Sequence, residues 1–161
     1  NGPPASASSR ANNPMTGHRF CEERIMKLEW NESFSTGVEE IDNQHKELVR
    51  QLNLLYAAMA AGQGKDEIGK ILNFLGQYAV MHFGKEEACM EEHRCPAASA
   101  NKLAHTQFIE LFTSMQKRFT VEGPTTALAV DLQQQTSAWL VNHILRVDTK
   151  LRACAKAKLP A

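Results

Sequence analysis

Apolar residues recur every three to four positions through four stretches of this chain, the period of a helix that buries one face. The first stretch, about 38–61, puts Ile41, His45, Leu48, Leu52, Leu55 and Met59 on one stripe. The second, about 65–92, does the same with Ile68, Leu72, Leu75, Ala79, His82, Glu86 and Cys89 or Met90. The third, about 97–121, aligns Asn101, His105, Phe108, Phe112, Met115 and Phe119. The fourth, about 125–153, aligns Leu128, Leu132, Gln135, Trp139, His143 and Val147. Glycine-rich residues 60–64, Cys95-Pro96 and Gly123-Pro124 punctuate the stretches. Connections this short make neighbouring helices antiparallel, so the pattern predicts an all-α, up-down-up-down four-helix bundle. No strand-like alternation interrupts it.

The stripes are not purely apolar. His45, His82, Glu86, His105 and His143 all occupy core-facing positions. A single core histidine is usually a packed and hydrogen-bonded one, but a buried carboxylate is costly unless paired or bound to a metal. Histidines and an acid on four inward stripes can all be satisfied together by metal. His82 and Glu86 are four residues apart, hence one turn apart on one face, and Asn101 and His105 repeat that geometry. Asp148 lies five residues after His143, which overshoots a turn; a π-type bulge or a local bend between them brings both to one cluster. Imidazole nitrogen with carboxylate oxygen suits iron, manganese or zinc, and this many donors exceeds one four-coordinate zinc.

Composition narrows the class. The 161 residues carry 18 basic and 18 acidic side chains, so no global field attracts nucleic acid or an anionic membrane surface. No apolar run approaches the roughly 20 residues of a membrane span. Residues 1–26 read as a flexible tail, linker or tag, 27–153 as the bundle with an N-terminal arm bearing Trp30 and Phe34, and 154–161 as a C-terminal tail. Cys21, Cys89, Cys95 and Cys154 form no dense framework, which predicts a soluble protein of a reducing compartment, the cytoplasm. Cys89, His93 and Cys95 match no standard zinc spacing, and nothing marks Cys95, expected in an exposed loop, as reactive. His18 belongs to the tail, and Lys150, Arg152, Lys156 and Lys158 suit a helix C-terminus.

The ordered set Trp30, Phe34, Gly37, Asp42-x-x-His45, His82-Phe-x-x-Glu86-Glu-x-x-Met90, Pro96, His105, Trp139-Leu-x-x-His143 and Asp148 resembles the hemerythrin family, specifically its bacterial members, over about 27–152. The resemblance implies two non-haem iron ions joined by an oxo or hydroxo group and by Glu86 and Asp148. It assigns His45 and His82 to the iron that receives O2 end-on, and His105 and His143 to the other. Leu48, Phe83, Trp139, Leu140 and Ile144 fall at apolar pocket positions that keep water from the bound gas. The chain departs from the pattern at Asn101, where the family has a third histidine for the second iron, and at Cys95, where an aromatic residue usually precedes proline.

An asparagine offers only a weak amide oxygen, so that iron is expected to be held less tightly, with water or an exogenous carboxylate making up the donor. The resulting expectation is a binding protein rather than an enzyme: an O2- or redox-sensing domain, responsive to dioxygen, peroxide or nitric oxide, within a bacterial signalling protein bearing an output domain. Stand-alone O2 storage or transport, and weak peroxidase or oxidase activity, are the alternatives.

Overall fold

The computed structural model describes residues 2, 25 and 27–156. The rest of the expected N-terminal tail, with His18 and Cys21, and the C-terminal residues from 157, with Lys158, lie outside the described residues. The periodic stretches become α1 (Glu39–Ala60), α2 (Gly64–Glu92), α3 (Ala98–Glu122) and α4 (Thr126–Arg146). No strand is present among the described residues. Helix α1 packs on α2 and α4, and α3 packs on α2 and α4, which closes a four-helix bundle.

Helix ends follow from local chemistry. Glu39, Glu40 and Asp42 crowd the first turn of α1, where carboxylates complement the helix dipole. Gly123, at φ 72°, stops α3 in a backbone conformation that favours glycine. The Thr125 hydroxyl then accepts from Leu128 N at 3.1 Å and starts α4.

The fourth stretch departs from its expected length. Helix α4 ends at Arg146, Val147 breaks away at φ −120° and ψ −62°, and a short 3-10 turn (Asp148–Lys150) leads into α5 (Leu151–Lys156). Of the two expected geometries, the chain uses a local bend rather than a π-bulge. That bend buries Asp148 completely.

The core has two parts. A large cluster built on Leu48, Leu52, Ile68, Leu75, Phe108, Leu128 and Leu132 fills most of the bundle. A smaller one, Ile41, Met90, Cys95, Ala97 and Leu151, closes the end where α1 begins and α2 ends. The N-terminal arm is tied down by backbone mimicry: Asn53 accepts from Leu28 N and donates to Leu28 O, both at 2.8 Å. Further along, the Asp42 carboxylate accepts from Thr36 N at 2.6 Å, Thr36 Oγ1 at 2.7 Å and Ser35 Oγ at 2.7 Å. Arg152 was expected to serve a helix C-terminus. Its guanidinium instead donates to the carbonyls of Glu32 and Ser35 in the arm.

Two expectations about cysteine fail. Cys95 is 5% exposed rather than in an exposed loop, and it forms a disulfide with Cys154 across a sequence separation of 59. The bond fastens α5 to the α2–α3 corner, where two helices and the returning chain meet; sequence spacing alone could not reveal that proximity. Cys89 is the free thiol among the described residues. Removing the bond in a Cys95→Ser/Cys154→Ser variant is expected to cost about 2–4 kcal/mol in urea unfolding. Reductant should bring the native protein down to the variant's value; equal stabilities under non-reducing conditions would contradict the staple.

Candidate metal centre

Four helices and one bend deliver six ionisable side chains to a point between the two core clusters. His45 comes from α1, His82 and Glu86 from α2, His105 from α3, His143 from α4 and Asp148 from the turn beyond it. All are at least 96% buried, and His45, Glu86 and Asp148 have no exposed surface. Their donor atoms form two trios, His45–His82–Glu86 and Glu86–His105–His143, each within 4.8 Å. Glu86 belongs to both.

Asp148 spans the same gap from the other side. Its Oδ1 lies 3.0 Å from His143 Nε2 and its Oδ2 3.4 Å from His45 Nε2. These approaches lack hydrogen-bond alignment, because both Asp148 oxygens and both ring nitrogens of His45 and His143 have no hydrogen-bond partner, and neither does Glu86 Oε1. Each such orphan costs about 1–3 kcal/mol when buried. One contact is made, His105 Nε2 to Glu86 Oε2 at 3.1 Å; the remaining donor atoms converge on shared space without pairing, as a site for cations requires. The nitrogen and oxygen donors fit first-row metal ions, and no thiolate joins them.

Two neighbours set the imidazole orientations: Gln44, which the sequence did not mark, and Glu87, which stood in the motif without a role. His82 Nδ1 lies 2.7 Å from Gln44 Oε1, and His105 Nδ1 lies 2.8 Å from Glu87 Oε1. Each oxygen accepts the Nδ1 proton, the outer support typical of metal-binding histidine, which directs Nε2 inward, in His105 toward Glu86 Oε2. Gln44 adjoins His45 and Glu87 adjoins Glu86, yet each serves a histidine on another helix, so local spacing could not expose the pairing. Tyr78 was also missed. It stacks on His82 at 4.6 Å.

Burial pushes His82 down to about 3, so its ring is neutral at physiological pH. Burial would also lower His143, but the adjacent Asp148 and Glu86 carboxylates outweigh it and raise the imidazole to about 9. Glu86 shows the converse: burial favours its acid form, and His105 and His143 nonetheless hold it well below the usual carboxylate range.

The apolar positions gather around this centre. Leu48, Phe83, Leu140 and Ile144 belong to the large core cluster, with Trp139 packed against it. Phe83 stacks on His105 at 3.8 Å, and Trp139 stacks on His143 at 4.4 Å. Asn101 lies on the same buried face of α3 as His105 with no exposed surface. Zinc at Cys89, His93 and Cys95 is ruled out by the disulfide on Cys95, and His93 Nδ1 is engaged by Cys89 O at 2.8 Å.

The fold and this donor set define a histidine- and carboxylate-lined cation-binding helical bundle. Residues 36–155 match the family model for the hemerythrin HHE cation binding domain. A bacteriohemerythrin of Stenotrophomonas maltophilia is 30% identical over 132 residues, covering 82% of this chain and 84% of that protein. A bacteriohemerythrin of Methylococcus capsulatus is 34% identical over 124 residues, covering 77% and 92%. A solved hemerythrin with one leucine replaced by tyrosine superposes with a TM-score of 0.69 at 32% identity, covering 80% of this chain and 98% of that one. The chain belongs to the hemerythrin family.

Two outcomes test the centre. Gln44→Leu should weaken metal binding about 10–100-fold in chelator competition, with helix content unchanged; equal affinity would remove Gln44 from its supporting role. In the metal-free protein, His143 stabilises the fold below the unfolded value of 6.5, and this is lost as pH rises through about 9. The depressed His82 acts oppositely, so stability is lost as pH falls from 6.5 toward about 3. Thermal melts of metal-free protein should therefore peak near pH 6.5, with the alkaline limb reduced in His143→Gln. An alkaline limb of unchanged size in that variant would contradict the assignment.

Proposed function

We propose that the chain holds two iron ions and binds dioxygen between its helices, with His45 and His82 on one ion, His105 and His143 on the other, and Glu86 and Asp148 bridging them. The observation that carries this reading is the pair of overlapping donor trios that share Glu86. When bound, the iron pair supplies the redox-active centre to which the gas attaches. The chain's own residues do the rest. Gln44 and Glu87 fix two imidazoles, while Phe83, Trp139, Leu48, Leu140 and Ile144 exclude water from the space beside them.

The finer reading is redox sensing. Asn101 leaves the His105/His143 pole one imidazole short, which disfavours a long-lived O2 adduct and favours responses to O2, peroxide or nitric oxide. A signal has a mechanical route out of the site. Asp148 begins the turn that leads to α5, and α5 is fastened through Cys154 and Arg152 to the α2–α3 corner and the N-terminal arm. A change at Asp148 can shift those contacts and bias a partner or output domain. Stand-alone O2 storage is the second reading, favoured by the bacteriohemerythrins that this chain matches over most of their length. Either role is one of binding rather than catalysis. No helix among the described residues is long and apolar enough to cross a membrane. The disulfide weighs against a strongly reducing compartment, contrary to the cytoplasmic placement expected from cysteine number.

Iron-loaded protein should contain two iron atoms per chain and absorb through an oxo-to-iron transition when oxidised. Fewer than two metals with no such band sinks the di-iron reading. Asn101→His should hold iron more tightly and autoxidise more slowly after O2 exposure. A native adduct already as long-lived as the variant's would shift the reading to storage.

A further inference from the structure

Asn101 stands one helical turn before His105 on the same face of α3, with no exposed surface. Both ends of its amide, Nδ2 and Oδ1, lack a hydrogen-bond partner. A buried amide with neither end satisfied calls for a partner outside the chain. The donor end is the informative one. If Oδ1 alone bound a metal directly, the two Nδ2 protons would remain orphaned, because a cation accepts nothing from a donor. The amide also ends one atom earlier than the Nε2 of a histidine at the same position.

We propose that Asn101 anchors a small anion that occupies the His105/His143 metal pole, giving the centre a second exogenous ligand position. This rests on the di-iron reading above. The required chemistry is narrow: the ligand donates a lone pair to the cation and accepts a hydrogen bond from Asn101 Nδ2. Water or hydroxide meets both conditions, and a compact monoanion with donor atoms at both ends, such as azide, nitrite or formate, meets them as well and displaces it. An apolar gas lacks the accepting charge. A bulky carboxylate is excluded by the packing that leaves this site without exposure, where Phe83 stacks on His105 and Trp139 on His143. His105 is held in place by Glu87, so the ligand enters on the Asn101 side without displacing an imidazole.

The experiment is azide titration of the iron-loaded, oxidised full chain, followed by the azide-to-iron absorption and by calorimetric stoichiometry. The native protein should take up two azides per iron pair and Asn101→His one, since the added imidazole fills the second position. Asn101→Leu keeps the space but loses the donor, so its second azide should bind at least tenfold more weakly. One azide per pair in the native protein overturns the proposal. Two azides in Asn101→His, or an unweakened second azide in Asn101→Leu, does so as well. Circular dichroism of each variant checks that the bundle is intact. Failure of the underlying di-iron reading is separately visible as an iron content below two per chain before any azide is added.

Discussion

Two carboxylates and four imidazoles are withdrawn from water at one end of a helical bundle with most of their polar atoms unpaired, and the rest of the architecture answers to that cost. Apolar packing cannot satisfy such atoms, and the fold provides no internal partners for His45 or for both Asp148 oxygens. It instead divides the core around them. The large cluster lies on one side and the Ile41–Met90–Leu151 cluster closes the other. A site buried on both sides keeps the local dielectric low, which makes every unpaired donor of the empty centre costly. Metal and fold are therefore coupled: whatever satisfies the donors also stabilises the bundle.

The end cap shows how much structure goes into placing a single carboxylate. Asp148 reaches the centre only because α4 stops at Arg146 and the chain turns at Val147. A turn of this kind is locally weak, and the following α5 is only six residues long. The disulfide to Cys95, the Arg152 contacts to the arm and the burial of Leu151 hold it in place. Gly37 permits that packing. Its φ of 78° favours glycine, and an added Cβ would lie 3.2 Å from Arg152 Cγ. The arm is fixed in turn by Asp42, one turn before His45 on α1. The N-terminal arm, the α2–α3 corner and the C-terminal segment thus form one connected lid beneath the centre.

The four helices and the inward stripes were legible because helix periodicity and ligand spacing are both local properties. His82 and Glu86 announce themselves by being four residues apart, and Asn101 by its position relative to His105. What stayed hidden depends on contacts between helices. Gln44 supports a histidine on α2 and Glu87 one on α3, and although each adjoins a candidate ligand in sequence, its partner lies on another helix. The Cys95–Cys154 bond was misjudged for the same reason, since a chain large enough to form a core gives no prior cause to expect a staple. The bend at Val147 was half visible: the five-residue spacing demanded a departure from α-helix but did not select its kind.

In the di-iron centre we propose, Asn101 changes the balance between the two ends and leaves both acids in place. On that proposal the His45/His82 pole has both imidazoles and the His105/His143 pole is one short. The proposed centre calls for two metal ions, because Glu86 lies near His45 and His105 and Asp148 near His45 and His143. Anomalous diffraction at the iron edge, on crystals of the iron-loaded chain, tests that requirement most directly. The account predicts two peaks about 3.5–4 Å apart, the spacing of two-metal sites, with Glu86 and Asp148 between them. A single peak, or two peaks without a shared carboxylate, would contradict it.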